Sequence, residues 1–204
     1  MSIFQKILGG KGRGEPVIIV SGLPRSGTSM AMKMLEAAGI APFQDGVRSA
    51  DEDNPKGYFE FEQVKDLDKA KDKSWVKNAR GKALKVISYL LKGLPPDNDY
   101  KIIFMHRHVQ EVLASQAKML ARRGEKSEVS DEKMTEIYQV HLRDVKKMID
   151  ARPEFQALDV HYSDVLKDGA GQAKRIAEFL GLPAEAAAKM SAQVDKELYR
   201  NRAG

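Results

Sequence analysis

The segment from Val17 to Ile40, VIIVSGLPRSGTSMAMKMLEAAGI, constrains the fold more than any other stretch of the chain. Its apolar start predicts a strand over residues 16–21, and its amphipathic end predicts a helix over residues 28–38. Between them, Gly22 and Gly27 allow the backbone to turn back on itself, so that successive N–H groups and the amino end of the helix converge. The segment therefore predicts a site for one phosphate-sized anion at the end of a buried strand.

The side chains of this loop are donors suited to phosphate oxygens. Arg25 supplies a forked cation, and the hydroxyl groups of Ser26, Thr28 and Ser29 supply further donors. The spacing nearly fits the nucleoside-triphosphate pattern G-x-x-x-x-G-K-[ST], but Thr28 stands where that pattern requires lysine. This departure argues against an ordinary site for magnesium ATP or GTP.

A second strand, predicted over residues 101–105, ends in a cationic tip. The apolar run KIIFM is followed by His106, Arg107 and His108, where an ATP or GTP enzyme of this type would carry an aspartate that holds magnesium. A cationic tip repels a metal ion and attracts a second anion. We infer a ligand that carries phosphate-like groups at two separate places and binds without a metal ion.

Strands and helices alternate along the chain, which predicts a three-layer α/β sandwich with a central parallel sheet and helices on both faces. Beyond the first strand and helix, a strand is predicted near 158–161, and helices over 110–122, 131–151, about 171–180 and 184–198. The stretch 62–92 is predicted to be mostly helical with a break at Gly81, and 58–61 to be a strand or a helix start. Loops are predicted over 41–57 and 124–130. No repeat or linker divides the sequence, so we expect one domain over residues 1–204, with 1–15 as a loose leader.

Composition fits a single globular domain and excludes several classes of function. The 204 residues are 42% hydrophobic, enough for one sizeable core. The 34 basic and 29 acidic residues are scattered and only 7% of residues are aromatic, so we expect no nucleic-acid partner. The absence of cysteine excludes disulfides, thiol nucleophiles and thiolate metal sites, and it permits the reducing cytoplasm in which we place the protein. No apolar run has membrane-spanning length, and the four histidines show no metal-site spacing.

Three separated segments resemble the sulfotransferases that use 3'-phosphoadenosine 5'-phosphosulfate (PAPS). The loop Pro24-Arg25-Ser26-Gly27-Thr28-Ser29 is similar to the family's 5'-phosphosulfate loop. Arg107, followed eight positions later by Ser115, resembles its 3'-phosphate grip. The segment from Tyr162 to Pro183 is similar to the late strand-to-helix passage, in which the tyrosine lies beside the adenosine. The resemblance implies that PAPS is the co-substrate, bound without metal.

The resemblance also assigns the donor-binding residues. It implies that the donor is bound by Pro24, Arg25, Ser26, Gly27, Thr28, Ser29, Arg107, Ser115 and Tyr162. Arg200, in the basic segment KELYRNR, is a further candidate for the 3'-phosphate, because the superfamily often places basic residues there. Two positions depart from the family pattern: His108-Val109 replaces the usual Asp or Asn followed by Pro, and Met30 replaces an adenine-stacking tryptophan of the small-molecule branch.

Sulfuryl transfer needs a cation beside the departing phosphate and a base for the acceptor proton. Arg25 fits the first role, since fixed donors contribute most where charge develops. In some branches of the superfamily the base is a glutamate downstream of the loop, and Glu60 in NPKGYFE resembles it. Glu62 and His106 compete for this role.

Three functions from different classes remain open at this point. The leading one is transfer of a sulfuryl group from PAPS to a hydroxyl or amine acceptor, which makes the chain a transferase. The others are a magnesium-dependent P-loop kinase or nucleotide hydrolase, and a nucleotide-binding protein without turnover. The acceptor can be a small molecule, a carbohydrate, a lipid or a peptide, because specificity rests on contacts that sequence does not place. The sequence does not fix the oligomeric state.

Overall fold

The structure is a computed structural model, which describes residues 13–47 and 58–195. The described residues form a four-stranded parallel β-sheet in the order β2-β1-β3-β4. The strands are β1 Val17–Gly22, β2 Ala83–Lys85, β3 Tyr100–His106 and β4 Phe155–His161. The chain runs from β1 outward to β2 and then crosses back to β3 on the other side of β1. This reversal creates a crevice at the carboxyl ends of β1 and β3, where such sheets bind ligands.

Helices cover both faces of the sheet. They are α1 Thr28–Ala37, α2 Val109–Arg122, α3 Asp131–Ala151, α4 Tyr162–Lys167, α5 Gly169–Leu180 and α6 Ala184–Ser191. Alternate residues of β1 point to opposite faces. Ile18 and Val20 pack with α1, α5 and α6, whereas Val17 and Ile19 pack with α3 and three short 3₁₀ helices. The three-layer α/β architecture predicted from the sequence is therefore confirmed.

The strand and helix around the first loop lie within one residue of their predicted bounds. Helix α1 stops before Gly39, whose φ of 90° ends the helical path. Helix α3 has the predicted bounds because both ends carry local signals. The Ser130 hydroxyl accepts a hydrogen bond from the Lys133 amide at 3.3 Å, and Arg152-Pro153 stops the helix.

The prediction of a mostly helical stretch over 62–92 is wrong. The structure has three 3₁₀ helices, Glu62–Asp66, Ser74–Ala79 and Ser88–Gly93, with strand β2 between the second and the third. Gly81, at φ 71°, turns the chain into β2, and Leu84 pairs with Ile19 and is fully buried. Pairing with β1 thus overrides local helix propensity. Residues 58–61 form neither a strand nor a helix, and Phe59 has a φ of 53°.

The remaining differences concern element bounds. Strand β4 begins at Phe155, earlier than the predicted residue 158, and α4 is an additional short helix between β4 and α5. Helix α6 ends at Ser191, so the predicted continuation toward residue 198 is wrong within the described part of the chain. Most of the predicted leader, residues 48–57 of the first long loop and the segment 196–204 lie outside the described residues. None of the helices in the described ranges combines the length and the apolar character that crossing a membrane would require.

Candidate functional site

The loop between β1 and α1 is shaped by three residues with positive φ. Gly22 has a φ of 146°, Arg25 of 70° and Gly27 of 101°. A Cβ atom on Gly22 would lie 2.5 Å from the Met105 carbonyl oxygen, and one on Gly27 would lie 2.5 Å from the Tyr162 ring. A side chain at either position would collide with these atoms, and both backbones have positive φ, so both positions require glycine. Because Arg25 is not glycine, its left-handed backbone is strained, a state that persists only where the surroundings enforce it.

The loop presents a buried hydroxyl donor and the amino end of a helix to any ligand that enters it. The Ser26 residue is 1% exposed, and its hydroxyl has no hydrogen-bond partner among the described residues. The first turn of α1 carries no acidic residue, so the positive amino end of the helix dipole is left available to an anion. Buried donors without acceptors cost free energy, which an anion in the loop would recover. The anion site predicted from the sequence is thus consistent with the loop geometry.

Arg25 and Arg107 join the two predicted phosphate handles. The Nε atom of Arg25 donates a hydrogen bond to the Ser115 hydroxyl at 3.0 Å. The Nη1 atom of Arg107 donates to the carbonyl oxygen of Arg25 at 3.1 Å. The loop after β1 and the grip after β3, 82 residues apart at this contact, therefore form one cationic cluster in the crevice.

Arg107 is held on two further sides. Its Nε atom donates to Glu111 Oε2 at 2.9 Å, and the two side chains are only 9% and 3% exposed. Its guanidinium carbon lies 4.7 Å from the centre of the Tyr162 ring. Burial raises the pKa of Tyr162, and the nearby Arg107 charge opposes the rise. Sequence reasoning missed Glu111, although the four-residue spacing from Arg107 at the start of α2 was a usable signal.

Lys85 is a second residue that sequence reasoning missed. It ends β2, and its Nζ atom donates to the Tyr58 carbonyl at 2.9 Å and lies 3.4 Å from the Ser29 hydroxyl. The same atom lies 3.7 Å from Glu60 Oε1, and these two side chains are 10% and 26% exposed. Glu60 is thereby brought beside the loop. The sequence pattern does not reveal Lys85 because β2, with only three residues, lies within a stretch whose pattern predicts a helix.

The two competitors of Glu60 occupy other surroundings. Glu62 pairs with Lys65 at 2.8 Å on an exposed surface. The Nε2 atom of His106 lies 2.7 Å from Asp159 Oδ1, at the contact between β3 and β4. Strand β1 lies between β3, which carries His106, and β2, which carries Lys85, and the His106 ring lies 5.0 Å from the His161 ring at the end of β4. Of the three candidates, Glu60 is the one that the structure brings beside the loop.

Several other residues either pack in the core or lie outside the described part of the chain. Met30 packs against the core cluster of α1, α5 and α6. Trp75 lies with Phe43 and Phe61, at ring-centre distances of 6.3 and 5.0 Å. Arg200 and the Asn54–Gly57 turn before Tyr58 lie outside the described residues. Within residues 13–47 and 58–195, no group of three His, Asp or Glu side chains is arranged to hold a metal ion.

Comparison with known protein families gives one match. A model described as the sulfotransferase family matches residues 59–186, which is more than half of the chain. The matched range includes Glu60, Lys85, Arg107, Ser115 and Tyr162 and begins after the first loop. No curated protein sequence matches the chain.

Several solved structures share the fold at low sequence identity. The sulfotransferase domain of the Synechococcus PCC 7002 olefin synthase is 17% identical with a TM-score of 0.52, over 94% of this chain and 86% of that one. Mouse sulfotransferase SULT7A1 complexed with PAP is 16% identical with a TM-score of 0.53, over 94% and 68%. Retinol dehydratase in a complex with retinol and PAP is 17% identical with a TM-score of 0.51, over 90% and 66%. In another retinol dehydratase complex, with androsterone, the chain spans 64% of the length of the matched protein.

Proposed function

The chain belongs to the sulfotransferase family, and from this premise we propose that it transfers a sulfuryl group from PAPS to a hydroxyl or amine acceptor. The observation that carries the proposal is the cluster in which Arg25 contacts Ser115 and Arg107 contacts the backbone of Arg25. This cluster unites a phosphate loop with a second cationic grip. A ligand with a 5'-phosphosulfate and a 3'-phosphate has the charge distribution that such a crevice favours.

The described residues fit this donor. The loop amides and the buried Ser26 hydroxyl would hold the 5' end, and Arg107 with Ser115 would hold the 3'-phosphate. The Tyr162 ring lies against Gly27 and Arg107, where it would border the adenosine. When bound, PAPS supplies the sulfuryl group and leaves as the 3',5'-bisphosphate. SULT7A1 and retinol dehydratase, which share the fold, were solved with PAP.

Two cations of this chain are placed to stabilise charge on the leaving group. Arg25 lies in the loop itself, and Lys85 lies 3.4 Å from the Ser29 hydroxyl in the first turn of α1. Both are fixed by hydrogen bonds before any ligand enters, so little reorganisation is needed when charge develops. We assign them to the side of the crevice where the departing phosphate would lie.

Glu60 is the proposed base for the acceptor. Its carboxylate lies 3.7 Å from Lys85, so it stands near the loop but is not part of the phosphate grip. An acceptor hydroxyl held between Glu60 and the loop would pass its proton to this carboxylate as the oxygen attacks sulfur. The acceptor class, whether a small alcohol or phenol, a carbohydrate, a lipid or a peptide tyrosine, is left to experiment.

The alternative of a magnesium-dependent kinase or hydrolase is not favoured. Thr28 replaces the lysine that such a loop requires, and the end of β3 carries His106 and Arg107 where an acidic metal ligand would be needed. Calorimetry separates the two functions. We expect 3'-phosphoadenosine 5'-phosphate to bind at micromolar concentration in the presence of EDTA, and ATP with Mg²⁺ to bind far more weakly. Tight magnesium-dependent binding of ATP, with no binding of the bisphosphate, would contradict the proposal.

Turnover separates an enzyme from a protein that only binds the nucleotide. Sulfate transfer from PAPS is measured with alcohol, phenol, sugar, lipid and tyrosine-peptide acceptors. With an active acceptor, Glu60→Gln should lower kcat by about 10²- to 10⁴-fold, the usual contribution of a general base, and leave the bisphosphate Kd unchanged. Glu62→Gln is the matched control, because Glu62 is exposed and paired with Lys65, and it should retain wild-type kcat. Equal activity of the two variants would remove Glu60 from the mechanism.

A further inference from the structure

A second cationic cavity lies at the edge of the sheet opposite to the donor crevice. Its volume is about 710 Å³, and its walls come from residues 70–77, residues 92–97 and the turn between α3 and β4. The last two segments lead into the amino ends of β3 and β4, whereas the donor loop and Arg107 follow the carboxyl ends of β1 and β3. The cavity is therefore separate from the crevice described above. We call it the lysine cavity.

The lysine cavity carries more positive than negative charge. Its lining includes the cations Lys71, Lys73, Lys77, Lys92 and Arg152, and the carboxylates Asp97 and Glu154. Both carboxylates are already paired, since Lys77 lies 2.9 Å from Asp97 and Arg152 lies 2.6 Å from Glu154. The Lys77 ammonium also lowers the pKa of the Asp97 carboxyl.

Three lysines in the lining take no part in these two ion pairs. Lys71, Lys73 and Lys92 make no ion pair with any residue of the described ranges. Lys73 is half-buried, and the other two are exposed. Like charges on one concave wall repel each other, and an anion of several charges between them would relieve that repulsion.

The floor of the lysine cavity is preformed. The Arg152 side chain is 17% exposed and donates to the carbonyl oxygen of Leu94 at 2.8 Å. Its guanidinium carbon lies 4.0 Å from the centre of the Phe155 ring. Pro95 and Pro96 restrict the adjoining backbone. A ligand would therefore meet a fixed wall, with only the lysine side chains left to adjust.

We propose that the lysine cavity binds a compact polyanion that carries at least two phosphate or sulfate groups. Its volume falls within the usual range for small-ligand sites, roughly 300 to 1,000 Å³. The lining contains no aromatic ring on which a nucleobase could stack, which favours a compact anion over single-stranded nucleic acid. Lysine serves as a point charge for phosphate and sulfate oxygens, and three of them can meet several such groups at once.

The test uses inorganic tripolyphosphate as the probe, titrated into the full chain by calorimetry at about 0.15 M salt, an ionic strength that screens weak surface attraction. We expect saturable binding to the wild-type protein. The triple variant Lys71→Ala, Lys73→Ala, Lys92→Ala should bind at least about tenfold more weakly, the loss expected when several charge contacts are removed. The triple variant Lys71→Arg, Lys73→Arg, Lys92→Arg should retain binding, because it keeps the charges.

A charge-matched control separates a built site from general attraction to a basic protein. The variant Lys126→Ala, Lys147→Ala, Lys189→Ala removes the same charge from exposed positions outside the cavity, and it should bind like the wild type. Equal weakening in this control, or absence of saturable binding to the wild type, would overturn the proposal. Loss of binding in Arg25→Ala with retention in the lysine variant would place the probe at the donor loop and also overturn it.

Discussion

Glu111 is the residue on which the position of Arg107 most depends. Its carboxylate faces the guanidinium at 2.9 Å, and both side chains are almost fully buried. Arg107 also contacts the Arg25 carbonyl and the Tyr162 ring, but those contacts involve no negative charge. The carboxylate therefore holds the Arg107 guanidinium in an orientation suited to a bidentate contact with phosphate. We regard Glu111 as a positioning residue, since it acts through Arg107.

Replacing Glu111 with alanine should weaken both the donor site and the fold. The variant leaves a buried guanidinium without its carboxylate, and breaking a buried pair in this way typically costs about 3 to 5 kcal/mol. We expect the free energy of unfolding in urea to fall by an amount of this order. The Kd for 3'-phosphoadenosine 5'-phosphate should rise about tenfold or more, as for loss of a hydrogen bond to a charged group.

A comparison with Glu111→Gln distinguishes positioning from bulk packing. Glutamine keeps the shape and one acceptor oxygen, so stability should recover further than the affinity for the bisphosphate. Glu125→Ala, at an exposed position after α2, is the control and should change neither quantity. Unchanged bisphosphate affinity in a folded Glu111→Ala protein would show that Arg107 needs no such support.

The residues that sequence reasoning identified are those whose roles depend on near neighbours. The loop from Pro24 to Ser29 was predictable because glycine conformation, hydroxyl donors and the start of a helix follow each other along a few residues. Lys85 was not, because its place beside Ser29 depends on the pairing of two strands distant in sequence. The strained φ of Arg25 also lay beyond pattern reasoning, since packing around the loop imposes it.

At the scale of elements, the short strand β2 supplies Lys85 to the site. Lys85 pairs in register with Val20 of β1, two residues before the loop begins at Gly22. This parallel register carries the Lys85 side chain to the same sheet edge as the loop. A three-residue strand leaves too short an apolar run to be recognised from sequence, whereas α3 carries capping signals at both ends.

Replacing Lys85 with methionine tests the role of this strand in the reaction. Methionine keeps a long apolar side chain, so β2 should remain paired while the cation is lost. We expect kcat for sulfate transfer to fall by about 10²- to 10³-fold, as when one fixed donor is removed from a transition-state site. The measurement is steady-state turnover with an active acceptor, together with the bisphosphate Kd.

Lys82→Met is the matched control, because Lys82 lies just before β2 and contacts the Phe43 ring instead of the loop. It should retain wild-type kcat. If Lys85→Met also kept wild-type kcat, the proximity of Lys85 to Ser29 would have no catalytic meaning.

At the scale of the whole molecule, the sequence predicted the layers but not the order of the strands. Alternation of apolar strands and amphipathic helices requires a covered parallel sheet, and the buried β1 and β3 made that alternation visible. The order β2-β1-β3-β4 depends on which side of β1 each later strand joins, and that choice is made by contacts between distant residues. The position of the crevice, by contrast, could be predicted from the sequence, because the residues that follow β1 and β3 are sufficient to define it.

Histidine His141 of α3 links the stability of the whole molecule to pH. Its Nε2 atom lies 2.8 Å from the Ser88 hydroxyl, and its ring stacks on Tyr89 at a centre-to-centre distance of 3.6 Å. Burial lowers the pKa of His141 and Lys92 lowers it further, while Asp144 opposes the shift. The ring thus joins α3 to the third 3₁₀ helix best when it is neutral.

We expect the free energy of unfolding to fall as the pH drops below about 6.5, the ordinary histidine pKa. In the folded state the pKa lies below this value, so below pH 6.5 the unfolded chain binds more protons and gains stability relative to the native state. Above that pH the ring is neutral in both states, so His141 no longer makes the free energy of unfolding depend on pH. Urea unfolding between about pH 7.5 and 5.5 in wild type and His141→Gln measures it, because the variant should lose most of the slope. His108→Gln, at an exposed site, should keep the wild-type slope, and an unchanged slope in His141→Gln would assign the pH dependence to other groups.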